Sequence, residues 1–560
     1  MLKVSSKILV GLLLASVAIS CSQSEINENV LAKINDLEVT EAHFESAFKR
    51  YYYKSGQSLE PTYTVKSSVL DTEFNVYVLA TYARQLGIDE LNETKKMQGM
   101  IRRRVLTEEY LTQNILSNVE ISDDDIRQMY LKFNTQLKAS HLYTPTKEKA
   151  DSLYKLLEQG STFEELAGSV FQNKRLAESG GDLGLFTVDE MDVAFEKTAY
   201  GLKIGEISKP VKTAQGYSII KLTDRITKPI LTEYEFAVHK NQLAYFVDKQ
   251  EKEMATRNHM YHFLENLDIN SEMLTDIWQS IQNNYTAFQS SDPEFLSTQS
   301  LNKQSVLASY KSFDITIEDF REELGYTPAE NLNNVQDVAS FTHFVKGIAY
   351  RTYLLKQALD ANLDKTEEVR ASIDQTYYVY LAQRAEDAIR NDIEITEDEL
   401  EKAYYENPSK YIKPLELDLS RIVVSTEDEA KDILQQLNNG SSFTEMVQQL
   451  TIRNEERLTD GRLGYEFVQN YGFISPKLSQ LQPGDLSGVI LFQTGEYHIY
   501  KCLGRKEVES LSFKQAKAMV RSELGKKKFK EHRSEIIEQV KRRHEAVVNT
   551  QKLKELTIQI

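Results

Sequence analysis

Cysteine is nearly absent: Cys21 and Cys502 are the two in 560 residues, so no intramolecular disulfide is expected. Long apolar runs are also missing. The stretch that begins at Ile8 holds 13 residues, too few to span a bilayer as a helix. Positive charge is in deficit, with 67 Lys and Arg against 84 Asp and Glu, a net charge of −17. That balance argues against nucleic acid or a strongly anionic membrane surface as the main partner, since both reward clustered cations. The one basic stretch, Lys526 to Lys530 and Lys541 to Arg543, reads as a solvated helix face. No phosphate-cradling loop, nucleophile elbow or zinc-ligand cluster is found. His259 and His262 stand three apart without an acidic or cysteine companion, so neither a metal nor a cofactor is expected.

What is present begins with an export signal. Lys3 and Lys7 precede the apolar stretch, and small residues lead up to Cys21. Val17-Ala18-Ile19-Ser20-Cys21 resembles a bacterial lipobox, which implies a signal peptide over 1–20 and a lipid on Cys21. A plain secretory signal with an incidental cysteine is the alternative. Ser22, where some bacteria place an inner-membrane retention aspartate, points to the outer membrane as the site of the anchor.

The rest of the chain is duplicated. Val30-Leu31-Ala32 returns as Val306-Leu307-Ala308 at an offset of 276, and Glu120-Ile121-Ser122 as Glu394-Ile395-Thr396 at 274. Gly184 and Tyr217 return as Gly464 and Tyr497 at 280, and Asn270 and Leu274 as Asn549 and Leu553 at 279. Nearly constant offsets over this length indicate one long unit used twice, consistent with the three or more structural units that 560 residues favour. Ser122 with Asp125, Thr396 with Glu399, Thr162 with Glu165 and Ser442 with Glu445 have the hydroxyl-x-x-acid spacing that caps a helix start.

Helical spacing at Ala150, Leu153, Tyr154 and Leu157, beside the strand-length run Tyr217 to Leu222, makes each module α+β. The expected plan is a helical lobe (28–132), a first module (137–226), a helical tail and connector (232–303), a second lobe (304–410), a second module (415–507) and a C-terminal helical tail (511–560). Aromatic runs in the lobes, such as Tyr51-Tyr52-Tyr53 and Tyr377-Tyr378, either fill helix interfaces or line a groove for unfolded polypeptide.

Within the first module the run Gly180-Gly181-Asp182-Leu183-Gly184-Leu185-Phe186 is a backbone device, because glycine supplies positive φ and admits close approach of main chain. It lies between Ala139-Ser140-His141-Leu142 and Met191-x-x-x-Phe195-Glu196, and Val211-Lys212-Thr213-Ala214-Gln215-Gly216-Tyr217 closes the module. If helical, Met191 and Phe195 share a face. Over roughly 90 residues, a domain-sized span, this order resembles the parvulin-type peptidyl-prolyl isomerase domain. Flanked by helical lobe and tail, the whole is similar to the SurA and PrsA group of extracytoplasmic chaperone-isomerases, here duplicated.

The resemblance implies a function and a site. Rotation about an X-Pro bond crosses an amide resonance barrier of roughly 18–20 kcal/mol, so a catalyst needs an apolar seat for the ring and polar groups that favour the twisted amide. Met191 and Phe195 are expected to bind substrate, and His141, Asn173, Thr213 and Ser218 to form the polar network. Asn173 stands where the family places Cys or Asp, and Ser218 where it places a second histidine. In the second module Arg421 takes the first histidine's place, His498 returns at the second, and no Met-x-x-x-Phe pair lies between Gly464 and Leu481. That module is expected to be inactive. The implied function is a lipid-anchored envelope foldase that binds unfolded, proline-containing envelope polypeptides and isomerises prolyl bonds in its first module. The alternative is a non-catalytic holdase or assembly scaffold.

Overall fold

The computed structural model describes residues 29–55, 58–228, 232–290, 302–453, 456–457, 459–492 and 495–558. Cys21 and the signal segment lie outside the described residues. Contacts divide the chain into two compact units, Asp89–Val379 and a second formed by the chain through Ile88 together with Tyr380–Ile560.

In the unit Asp89–Val379, Ser122 opens the helix Asp123–Phe133 with a reciprocal cap, its hydroxyl accepting from Asp125 N while Asp125 accepts from Ser122 N at 2.9 Å. The chain then enters a four-stranded antiparallel sheet in the order Asp182–Phe186, Thr135–Thr144, Tyr217–Thr227, Val211–Lys212. His141 lies opposite Ile220, and Tyr143 opposite Ser218. The sheet is covered on both faces. Leu137, Ala139, Ile220 and Leu222 pack with Phe186 and Phe195 on one side, while Leu142 and Ile219 pack with Phe163 and Leu166 on the other. Burial on both faces explains why the adjacent residues Ile219 and Ile220 of this strand are both apolar, one facing each layer.

The glycine turn is a steric requirement of this sheet. Gly181 has φ +77°, its carbonyl accepts from His141 N at 3.0 Å, and a Cβ built on it would stand 2.0 Å from the His141 carbonyl oxygen. Any side chain there would push the turn off the histidine strand.

Thr232 caps a 33-residue tail helix, Glu233–Glu265, which ends at the short strand Leu267–Ile269. That strand pairs with the hairpin Val306–Tyr310/Phe313–Thr316, Ile269 facing Ala308. Helices Ile317–Gly325 and Val338–Asp360 complete a core rich in aromatics, with Trp278, Phe288, Phe320 and Phe341 buried together.

The other unit repeats the plan with the partners exchanged. Its four-stranded sheet runs Arg462–Phe467, Glu416–Val424, Tyr497–Lys506, Leu486–Leu491, and a 31-residue tail helix, Phe513–Arg543, follows. The strand Val547–Val548 then pairs with the hairpin Val30–Ile34/Leu37–Thr40, Val548 facing Ala32. Asn549 N donates to Leu31 O at 2.8 Å, as Asn270 N donates to Leu307 O at 2.9 Å, and each asparagine caps the helix that follows. The tail of the first repeat therefore closes the hairpin of the second, and the tail of the second closes the hairpin of the first. Lys66, almost fully buried, secures the latter closure by donating to the carbonyls of Lys554 and Leu556 at 3.1 and 2.8 Å.

Cys502 is a buried free thiol. Among the described residues no helix is long and apolar enough to cross a membrane, and no group of three or more His, Cys, Asp or Glu could hold a metal ion. His259 is engaged by the Tyr350 hydroxyl at 2.8 Å.

Candidate active site

The candidate site is built on the face of the first module's sheet that carries His141. Its strand and the strand of Ser218 are neighbours, so the two side chains meet, Ser218 Oγ lying 3.5 Å from His141 Nδ1. The His141 ring packs between two aromatics, edge-on to Phe195 at 5.9 Å between centroids and tilted against Phe171 at 5.4 Å. Burial among these rings pushes its pKa down to about 4, so the imidazole is neutral at physiological pH. Phe195 in turn stands edge-on to Phe186 at 6.0 Å.

Met191 packs against the same cluster as Phe195, but the two do not share a helix. Asp192 caps the helix Val193–Gly201, accepting from Ala194 N and Phe195 N, and Met191 lies before that cap. An aspartate between them ends the helix upstream, a signal that the i, i+4 spacing alone does not carry. The Met191 loop is fixed instead by Glu196, whose buried carboxylate accepts from Glu190 N and Met191 N, each at 2.9 Å. Burial raises the Glu196 pKa against the pull of these amides.

Thr213 is buried in the turn before the last strand, where its amide and hydroxyl both donate to Gly216 O at 2.8 and 3.2 Å. Asn173 is exposed and caps the short helix Lys174–Glu178, accepting from Leu176 N at 3.3 Å; among the described residues no hydrogen bond joins it to His141. The structure thus brings together His141, Ser218, Phe195 and Met191, holds Thr213 in a turn, and gives Asn173 a capping role. Phe171 was not among the residues read from sequence, although an aromatic just after the helix Phe163–Val170 is visible there.

At the same strand positions the second module carries different chemistry. Arg421 lies opposite Tyr500, where the first module has His141 opposite Ile220. The guanidinium is paired with Glu456, its Nε donating to Glu456 Oε1 at 3.0 Å, and Thr451 Oγ1 lies 3.3 Å from the other carboxylate oxygen. Glu456 occupies the place of Leu176: each residue's carbonyl accepts from the glycine at the equivalent position of its turn, Gly461 N and Gly181 N respectively. Burial pushes the Tyr500 hydroxyl pKa up against the pull of Arg421. His498 stacks on Phe492 at 3.9 Å and is pushed down to about 4 by burial, with Arg421 adding to the effect. A partly buried ion pair, with Glu456 buried and Arg421 half-buried, therefore fills the ground where the first module keeps neutral rings.

Comparison with known proteins identifies the class. The family described as "PPIC-type PPIASE domain" matches residues 132–224 and again residues 395–518. Foldase protein PrsA of Bacillus subtilis (strain 168) is 32% identical over 213 residues, covering 37% of this chain and 70% of that protein. Foldase protein PrsA of Geobacillus kaustophilus (strain HTA426) is 29% identical over 198 residues, covering 35% and 67%. A crystal structure of PrsA from Bacillus subtilis aligns over 41% of this chain and 91% of that one at 28% identity, with a TM-score of 0.16. The two domain matches and the PrsA relatives define a parvulin-type peptidyl-prolyl cis-trans isomerase. The chain belongs to the PrsA-like foldase family and carries two parvulin domains.

Proposed function

We propose that isomerisation is carried out by the first module on unfolded, proline-containing polypeptides of the cell envelope, while the second module serves binding or support. The observation that carries this reading is the pairing of neutral His141 with Phe195 and Phe171 on one sheet face, against the Arg421–Glu456 ion pair on the equivalent face. A planar prolyl amide is polar through resonance, and twisting it removes that polarity, so a seat walled by neutral rings lowers the barrier. His141 and Ser218 add hydrogen-bonding groups at its edge. No single nucleophile is needed, so substitution at the Asn173 and Ser218 positions is compatible with catalysis. In the second module a desolvated ion pair offers the twisted amide no such seat.

A lipid on Cys21 would hold the foldase at the membrane, with the outer membrane favoured by Ser22. Metabolic labelling with a fatty acid tests this: label is lost in Cys21→Ser and retained in the parent chain. Catalysis is tested on the full chain by a protease-coupled prolyl peptide assay. Phe195→Ala removes the rate and Arg421→Leu with Glu456→Leu does not; a rate absent from the parent chain overturns the enzymatic reading.

A second reading, a holdase that needs no catalysis, draws on the first tail helix. Tyr234, Val238 and Tyr245 fall on one helical stripe and are 78, 60 and 66% exposed, a surface suited to unfolded chains. This reading expects His141→Ala with Met191→Ala to suppress client aggregation as the parent does. Loss of suppression in that folded variant counts against it.

A further inference from the structure

We propose that Arg257, on the tail helix Glu233–Glu265, is a positioning residue for the prolyl pocket of the first module. The inference rests on the reading that this module isomerises prolyl bonds. It starts from Asp192, whose carboxylate joins the two sides of the pocket. Oδ1 accepts from Ala194 N at 2.9 Å and Phe195 N at 3.3 Å, which fixes the start of the helix bearing Phe195. Oδ2 accepts from Ala214 N at 3.0 Å, which fixes the turn bearing Thr213. Arg257 Nη1 contacts both oxygens, at 3.0 and 2.9 Å, while Nη2 is oriented by Glu253 at 2.7 Å. The Arg257 and Asp192 side chains are 10 and 18% exposed, so the pair is largely shielded from solvent and each partner constrains the other.

Arg257 does not act alone. Gln250 and Tyr261 lie seven residues before it and four after it, on the same helical stripe. Gln250 Nε2 reaches Glu196 Oε2 at 3.4 Å, and Glu196 holds the amide of Met191. The Tyr261 hydroxyl donates to Thr213 O at 3.4 Å, and Lys212 Nζ sits 3.9 Å over the Tyr261 ring. One face of the tail helix therefore touches the Met191 loop, the cap of the Phe195 helix and the Thr213 turn. The pocket is completed from outside its own domain, and Arg257, through Asp192, makes a charged contact that joins two of its sides. Small displacements of groups around a reacting bond carry large rate penalties, so the helix sets how well the pocket is formed.

The test uses the full chain, with prolyl peptide kinetics and the 13C-methyl resonance of Met191, assigned through Met191→Leu. Arg257→Ala is expected to lower kcat/KM about tenfold and to move the Met191 methyl signal. Arg257→Lys, which restores a cation toward Asp192, is expected to recover most of the rate and return the signal. Lys197→Ala removes an exposed ion pair with Glu251 at 3.1 Å that also joins the pocket helix to the tail helix, and it is expected to leave both readouts unchanged. A parent-like rate and an unmoved methyl signal in Arg257→Ala overturn the proposal. Equal losses in Lys197→Ala also overturn it, because they would show general helix docking rather than positioning. If the parent chain has no prolyl activity, the isomerase reading fails, and the Met191 signal alone then decides whether Arg257 positions the pocket.

Discussion

His141 and Arg421 occupy equivalent places on equivalent strands of the two sheets, and each donates its backbone N–H to the glycine carbonyl of the equivalent turn, Gly181 O and Gly461 O. What differs is the shell around them. His141 is enclosed by Phe171 and Phe195 and stays neutral, whereas Arg421 has acquired Glu456 in place of Leu176 and Tyr500 in place of Ile220. A cation cannot be buried without a counter-charge, so the histidine-to-arginine change and the leucine-to-glutamate change belong together. The two modules share the turn glycines Gly181 with Gly461 and Gly184 with Gly464, while the side chains above the turn differ. At Gly181 and Gly461 backbone oxygen leaves no room for a Cβ, whereas Gly180 beside the first is Asp460 beside the second, at a similar positive φ.

The largest effect expected of a single substitution is at the shared turn. Gly181→Ala combines φ +77° with a Cβ 2.0 Å from backbone oxygen, and about 4 kcal/mol of destabilisation is expected in the first module. Gly461→Ala, with a Cβ 2.5 Å from Arg421 O, should do nearly the same in the second. At Gly184 and Gly464 nothing lies within 4 Å of a Cβ, so alanine there costs only the strain of positive φ, about 1 kcal/mol. Hydrogen exchange resolved by module measures all four, and equal costs at Gly181 and Gly184 would remove the steric explanation.

Next in size is the ion pair. Glu456→Ala leaves the half-buried Arg421 without its carboxylate and should destabilise the second module by about 2 kcal/mol, whereas leucine at both positions should cost less. Urea unfolding of the three variants separates these outcomes. If the double replacement costs as much as the single, the pair is not the coupled unit described above.

A pH effect follows from the two histidines, each held near pKa 4 by burial against an ordinary value near 6.5. Below 6.5 the unfolded chain takes up protons that the folded chain refuses, so their stability contribution is intact above pH 6.5 and is lost as pH falls towards 4. Both modules should weaken over that window, while prolyl activity stays flat from pH 8 to 5.5 because His141 remains neutral. An activity step near pH 6.5 would show His141 to titrate normally. The smallest change is expected from Ser218→Ala, since its 3.5 Å contact with His141 sits at the limit of a hydrogen bond. A rate within about twofold of the parent is expected, and a tenfold loss would give Ser218 a larger share of the site.

Much of this was legible in the residues. The glycine turn, the duplication and the four helix caps at Ser122, Thr162, Thr396 and Ser442 rest on local chemistry, and each cap is found. The exchange of tails between repeats was not legible, because strands as short as Leu267–Ile269 and Val547–Val548 carry no pattern that names their partner. Arg421 was visible, but Glu456 lies 35 residues away and is recognisable only once Gly461 is aligned with Gly181. Asp192 and Arg257, 65 residues apart, show no periodic relation before the tail helix is placed. Asn173 illustrates the opposite case: the resemblance places it in the site, while its side chain caps a helix.

The central claim is that the two modules share a fold and divide the labour, and prolyl isomerisation by the full chain tests it most directly. Phe195→Ala is predicted to reduce the rate to the uncatalysed background, and leucine at both Arg421 and Glu456 to leave it at the parent level. A rate that survives Phe195→Ala, or falls with the second-module pair, would contradict the account.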